Sequence, residues 1–596
     1  MAAHDLLLDL PFDLIQPILE YLTDRRDWNA CCLVSKSFNK VATPLLYRTL
    51  DSRIITQPKN HSSNNHTNNL NPVLYHPATT LISKPSLAIH VRHVTETGAV
   101  HRALLPRYAT ITDDALKALA LCTNLHSFTW MDDTMYGPGM GAFGLGGMGN
   151  NITKAPGTFL TRFVELVRGN REENSGLPLR SLTIRTHSDL GSSVWSSLNT
   201  LSGLTRVSIW SMDGPPRVLQ GGWSIALGST LKELELGRCA GVPPTILVTV
   251  ISQLPLLQSL RLKGVASNAI IDLLTYLPLL DNLDAEYLPS QTQLSPRDYA
   301  RLIMLPALKM LTVRTNSRRD AIDPLKMYDW IRLLTNREGL QAFKLHAFSL
   351  SLPPISPSPS FPSSSSPKSY LFPSKTGLYN SFSIRDLGQT LIPRGFILDL
   401  ARLHSASLRK WEAGEAGVMM MGDVECLCVS FPQLEVLDCA VGLEGVNSIY
   451  HAIRSAHNLT TLKLHIQWLP SSAADSRSPY STEIGSRSSN FSLKEEDYYE
   501  NSRANAKLFR NFRDTDKIRY RHHSTSGFGI LSEVDSHEGM SGDFTTIDAR
   551  SLMLRSDGSI LRTISVGGVL YRGNWVVSSS NPKEVEFVVV SNVKDI

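Results

Sequence analysis

The feature that most constrains this chain is a six-residue pattern, apolar-x-x-apolar-x-apolar, that returns at a nearly constant interval. It appears at Leu179-Leu182-Ile184, Leu204-Val207-Ile209, Leu231-Leu234-Leu236 and Leu257-Leu260-Leu262. It recurs, with weaker residues in places, at Leu280-Leu283-Ala285, Leu308-Leu311-Val313, Leu340-Phe343-Leu345, Leu408-Trp411-Ala413, Leu434-Leu437-Cys439 and Leu459-Leu462-Leu464. An earlier unit fits at Leu125-Phe128-Trp130, and Val91 to Val94 reads as a divergent first strand. Anchors from Leu179 to Leu280 lie 25, 27, 26 and 23 residues apart, and those from Leu408 to Leu459 lie 26 and 25 apart. Between them, Pro244 to Leu254, Ala269 to Leu277 and Val446 to Ala456 carry apolar residues at helical steps. Many such segments close on Leu-Pro or Phe-Pro, as at Leu254-Pro255, Leu277-Pro278, Leu305-Pro306 and Phe431-Pro432, where proline stops the helix. One strand-plus-helix unit cannot bury its own apolar face. Stacked units share a continuous core, with their strands in one parallel sheet. The expected fold class is therefore α/β, a solenoid with strands on a concave face and helices outside.

A second stretch stands ahead of the repeats. Between Leu10 and Leu50, Leu14, Ile15, Ile18, Leu19 and Leu22 share one helix face, with Asp13 as N-cap and Gln16 completing a capping box. Trp28, Cys31, Cys32 and Leu33 give a second helix its apolar side. Phe38, Val41, Ala42, Leu45 and Leu46 do so for a third, whose end Pro44 should tighten or break. Three short helices in about 40 residues make a poor independent domain. With no metal cluster to brace them, their apolar surface is better explained if a partner covers part of it.

The order Leu10-Pro11, Asp13-Leu14-Ile15, Ile18-Leu19, Tyr21-Leu22, then Leu33-Val34-Ser35-Lys36 and Phe38 resembles an F-box. Asp13 stands where glutamate is more usual and Phe38 where tryptophan is common. The repeats, over roughly 87–470, resemble leucine-rich repeats of an irregular kind. Together the two resemble the substrate receptors of Skp–cullin–F-box ubiquitin ligases. The resemblance implies an F-box that docks on a Skp-type adaptor and, through it, cullin. It also implies repeats that hold an unknown protein substrate, and a chain that is not itself an enzyme. By the same resemblance, Leu10, Pro11, Leu14, Ile15, Ile18, Leu19, Leu33, Val34 and Phe38 belong to the adaptor-facing motif. Some of them must instead hold the helices together, and the sequence does not sort them.

The domain plan that follows is an F-box over 8–50, a linker over 51–86, the repeat solenoid over 87–470, a polar disordered insertion over 471–544 and a β-rich cap over 545–596. Insertions at 137–150 (Gly/Met-rich) and 351–374 (Pro/Ser-rich) read as loops leaving the solenoid edge. In the cap, Ser559 to Val566, Val569 to Val577 and Glu584 to Val590 read as strands that close the open apolar edge of the last repeat.

Composition excludes several function classes. Lys plus Arg is 59 and Asp plus Glu is 54, so a formal charge of +5 spread over 596 residues points to no polyanionic partner. The aromatic-interleaved basic run from Lys507 to His523 is the best nucleic-acid candidate, and a solvated loop is its favoured reading. No HExxH, GxSxG or Walker pattern is present, so no catalytic, metal or cofactor site is expected. Seven cysteines at irregular spacing read as buried thiols in a reduced compartment, with cytoplasmic or nuclear placement. The start of the chain lacks the basic region of a signal peptide, and no apolar run is long enough to span a membrane. Two rival functions stay open: a non-ligase F-box scaffold and a nucleic-acid-associated repeat protein.

Within each repeat strand, residues flanking the buried pair point to the opposite face. That places Arg185, Trp210, Glu233, Glu235, Arg261, Lys263, Asp284, Glu286, Arg314, Lys344 and His346 on one surface. Charges there come in alternating bands, which fit equally a self-neutralising polar face or a docking surface anchored by an exposed Trp210.

Overall fold

The computed structural model describes residues 11–57, 71–103, 110–132, 154–172, 179–186, 189–211, 222–289, 302–315, 324–347, 392–443, 446–468, 544–577 and 584–593. The expected insertions at 137–150 and 351–374, the polar stretch up to residue 543 and its basic run from Lys507 to His523 lie outside them.

Three helices open the described chain: α1 (Phe12–Glu20), α2 (Arg25–Cys32) and α3 (Lys36–Tyr47). Asp24 caps α2 by accepting from Arg26 N, and Ser35 caps α3 by accepting from Phe38 N. The expected cap at Asp13 does not form. The N-cap position is taken by Pro11 two residues earlier, so Asp13 lies inside the first turn and Gln16 bonds Glu20 instead. Pro44 does not break α3, which runs on to Tyr47.

The strands are β1 (Thr49–Asp51), β2 (Arg53–Gln57), β3 (Asn71–Tyr75), β4 (His93–Thr97), β5 (Ser127–Met131), β6 (Ser181–Thr186), β7 (Arg206–Ser211), β8 (Glu233–Gly237) and β9 (Ser259–Leu262). They continue with β10 (Asn282–Glu286), β11 (Met310–Thr315), β12 (Ala342–Ala347), β13 (Lys410–Met420), β14 (Val436–Leu443), β15 (Thr461–Trp468), β16 (Thr563–Val566), β17 (Val569–Val577) and β18 (Val585–Val593). All but β2 and β3 join one sheet of 16 strands in sequence order. Pairing is parallel from β1 to β16 and antiparallel across β16, β17 and β18. Gly567 and Gly568, both at positive φ, make the tight turn that reverses the chain there.

Residues 51–86, expected as a linker, are structured where they are described. β1 already belongs to the main sheet, β2 and β3 form a separate hairpin, and a helix at Ala78–Ser83 follows. The polar run around Asn60 hid the apolar pairs Ile54-Ile55 and Val73-Leu74 that flank it. The divergent strand expected at Val91 to Val94 is β4, the second strand of the sheet.

One inward row keeps its register across ten strands, although the β13–β14 pairing shifts between Ala413 and Val418. Leu182 sits beside Val207, then Leu234, Leu260, Leu283, Leu311, Phe343, Trp411, Leu437 and Leu462 on successive strands. This row packs with apolar residues of the intervening helices into one core that runs from Leu50 to Phe587. Fully burying each such side chain contributes roughly 1.5–3 kcal/mol.

A second row, of backbone bonds, runs along the strand starts. Arg48 O accepts the N–H groups of Arg92 and His93, Arg92 O those of His126 and Ser127, and His126 O those of Arg180 and Ser181. The same double bond then steps through Thr205, Lys232, Gln258, Asp281, Lys309, Gln341, Arg409, Glu435 and Thr460 to Arg562. This spine begins at the last turn of the three-helix segment, so that segment is joined to the repeats by backbone pairing.

Candidate functional site

The first surface to consider is on the N-terminal helices. Their core is small: Ile15 and Leu19 from α1 meet Val41 and Ala42 from α3, with Leu22, Cys31, Cys32, Phe38 and Leu45 partly buried around them. Trp28 Nε1 donates to Leu19 O at 3.0 Å, and Asn39 Nδ2 to Cys32 O at 3.0 Å, which fixes the helices to one another. This core leaves Phe12, Leu14, Ile18, Tyr21, Leu33 and Val34 outside; Leu33 is 83% exposed and Ile18 47%.

The structure thus sorts the nine residues that the resemblance assigns to an adaptor-facing motif. Pro11, Leu14, Ile18, Leu33 and Val34 are exposed and available to a partner. Ile15 and Leu19 are not: they pack against Val41 and Ala42 of α3 as the helices' own core. Phe38 is partly buried against that core, and Leu10 lies outside the described residues. Phe12 and Tyr21, which are not among those nine, join the exposed set.

The second surface is the sheet face opposite the helices. It is a ladder of paired charges. Glu235 accepts from Ser208 Oγ at 2.7 Å and from Trp210 Nε1 at 2.8 Å, and pairs with Arg261 at 3.0 Å. Arg261 reaches Asp284 at 3.0 Å, and Arg314 grips the two oxygens of Asp284 at 2.7 and 3.0 Å. Arg206 pairs with Glu233, Lys344 with Glu412, and Lys463 and His465 with Asp438. Glu286 is buried and accepts from Gly264 N at 2.8 Å; burial raises its pKa, against the lowering by Lys263 and that bond. Lys263 is shifted the other way, its pKa lowered chiefly by burial. Arg185 and His346 are half-buried along the same face.

One expectation for this face is corrected. Trp210 is only 9% exposed, so it is no open anchor. Its indole lies on Gly237 of the next strand, where a Cβ would overlap it, with the Arg261 and Lys263 cations 6.0 and 5.7 Å from the ring. An aromatic ring beside a glycine fills the vacant side-chain space.

A buried triad, missed in the sequence because its members lie far apart, ties the first strands together. Glu96 sits between His76 Nε2 and His101 Nε2, both at 3.2 Å. Burial alone would raise the Glu96 pKa. Pairing with His76 and His101, through charge when an imidazole is protonated and through hydrogen bonds, outweighs it and brings the pKa down to about 2. The three ligand atoms lie close enough to suggest a metal site. However, Ala78 N–H donates to His76 Nδ1 at 3.1 Å, which in the neutral ring places the proton on Nε2 and leaves that nitrogen no lone pair for a metal. The triad therefore fits a hydrogen-bonded brace and does not fit a metal centre. Four cysteines, at 122, 239, 428 and 439, are buried with raised thiol pKa values, as inert core residues.

Comparison with known proteins bears on the N-terminal helices. Residues 7–53 match the F-box-like family. Among solved structures, the crystal structure of the Rad7 and Elc1 complex in yeast is similar at 12% identity, covering 65% of this chain and 83% of that one, with a TM-score of 0.34. The TLR13–ssRNA13 complex is similar at 11% identity, covering 65% of this chain and 56% of that one, with a TM-score of 0.26. No curated protein matches the sequence. No described helix is long and apolar enough to cross a membrane. The chain thus carries an F-box-like domain over residues 7–53, followed by an α/β solenoid of repeating strands.

Proposed function

We propose that the chain is the substrate-recognition subunit of a Skp–cullin–F-box ubiquitin ligase. The observation that carries this reading is the apolar set Leu14, Ile18, Leu33 and Val34, left outside a domain whose core closes without it. Exposed apolar residues grouped on so small a domain mark a protein contact. F-box domains bind Skp-type adaptors, and through the adaptor the chain reaches cullin. Ubiquitin transfer is left to other subunits, so this chain contributes proximity and orientation. The target is assigned to the polar sheet face. There Arg206, Glu233, Lys344, Lys463 and His465 are the more exposed rungs, and the Glu235–Arg261–Asp284–Arg314 rungs supply a rigid base.

Affinity capture of the full chain tests the reading. Recovery of both the Skp-type adaptor and cullin supports a ligase subunit. Recovery of the adaptor with no cullin supports the rival reading, a scaffold that holds the adaptor outside a ligase.

A further inference from the structure

The spine of backbone bonds fixes one residue per repeat at the start of each strand, so neighbouring spine side chains are about one strand spacing, ~4.8 Å, apart. Further along, opposite charges in this row pair. Lys309 meets Asp281 at 3.1 Å, and Arg409 meets Glu435 at 3.1 Å. The beginning of the row breaks this rule. Its first four members are Arg48, Arg92, His126 and Arg180, all basic, and none forms an ion pair among the described residues.

Three of these four line a cleft of about 400 Å³ between the F-box helices and the first repeats. His90 and His93 add two more imidazoles, and Pro44 and Leu45 an apolar wall. Glu20 is the one carboxylate among the lining residues, and Gln16 Nε2 donates to it at 3.0 Å. Arg92 donates to Asn124 O, His126 Nδ1 lies 2.6 Å from the same oxygen, and His93 Nδ1 contacts Ser127 Oγ, so three of the basic groups are oriented by the first strands. The Arg48 guanidinium makes no hydrogen bond to a described residue. The repulsion is felt inside the cleft: burial, then the charges of Arg48, His126 and Arg92, lower the pKa of His93.

We propose that this cleft binds a phosphomonoester group, gripped by Arg48 and Arg92 and closed by His126, His93 and His90. Planar guanidiniums match phosphate oxygens in pairs, and a dianion would replace the repulsion by attraction. The ligand would join the end of α3 to the first repeats, since Arg48 belongs to one and Arg92 and His126 to the other.

Thermal unfolding of the full chain tests this, in sodium phosphate against sodium chloride of equal ionic strength. Phosphate should raise the midpoint saturably beyond chloride, as a ligand of the native state does. Arg48→Gln, which removes no hydrogen bond to a described residue, should cut the affinity by about tenfold or more. Arg48→Gln with Arg92→Gln should abolish the excess. Arg409→Gln, in the same row but paired, should keep it. Titration with a capped phosphoserine peptide separates the sources: binding more than about tenfold tighter than phosphate points to a phosphorylated protein, and equal binding to a small phosphorylated metabolite. No excess over chloride, an excess that survives the double change, or equal binding of the unphosphorylated peptide would overturn the proposal.

Discussion

The indole of Trp210 rests on the backbone of Gly237, one strand away, and donates through Nε1 to Glu235 two residues before that glycine. A methyl group at position 237 has no room unless the ring leaves. Gly237→Ala should therefore cost about 1–3 kcal/mol, the usual range for overpacking. Denaturant unfolding measures it. Trp210→Ala combined with Gly237→Ala should cost clearly less than the two changes summed, because the clash exists only when both groups are present. Additive costs would contradict the packing.

The ladder around this pair makes a second prediction. Arg261 is held between Glu235 and Asp284, both at 3.0 Å. Arg261→Glu would line up three carboxylates on adjacent strands, and like charges opposite one another destabilise a sheet. The site is partly open to solvent, so the expected loss is modest, about 1 kcal/mol, and it should shrink at high salt. Denaturant unfolding at low and high salt measures this; no loss, or a loss that salt leaves unchanged, would contradict the ladder.

The buried triad predicts acid sensitivity with a definite sign. The folded Glu96 pKa of about 2 lies below its ordinary 4.5. The group therefore adds stability above pH 4.5, and this stability disappears as pH falls from 4.5 toward 2. The shift corresponds to roughly 3 kcal/mol, by order of magnitude. Glu96→Gln should be destabilised at pH 7 and should lose stability less steeply than the wild type across that acid window. Unfolding free energies measured from pH 7 to pH 2 decide it; parallel curves for the two proteins would contradict the role of Glu96.

Much of this architecture was legible in the sequence because the repeat is a pattern of buried residues, and burial is what periodicity records. Leu182, Leu234 and Leu283 occupy the row their spacing implies. Other features depend on contacts between distant residues, which no local pattern carries. Trp210 could be placed on the correct sheet face, yet its burial depends on a glycine 27 residues later. The His76–Glu96–His101 triad and the basic start of the spine join residues from separate turns of the coil. In the F-box-like domain, Ile15 and Ile18 read alike as apolar helix residues. Only the position of α3 shows that Ile15 faces Val41 and Ala42 while Ile18 faces outward.

That distinction predicts two different failures. Ile15→Asp puts a carboxylate in the small core with no partner. A cost of several kcal/mol is expected, which should unfold α1 to α3. Limited proteolysis within residues 11–47 should then become rapid while the repeats resist. Equal resistance in the variant and the wild type would contradict the core assignment.

The most direct test of the account is the affinity of a purified Skp-type adaptor for the full chain, measured by calorimetric titration with Ile18→Asp and Val34→Asp alongside the wild type. Both residues are exposed, so both variants should keep the wild-type melting midpoint. Each should bind the adaptor more weakly by about thirtyfold or more, equivalent to about 2 kcal/mol for an interface anchor. Wild-type affinity in both folded variants would contradict the claim that this apolar face is the adaptor-docking surface.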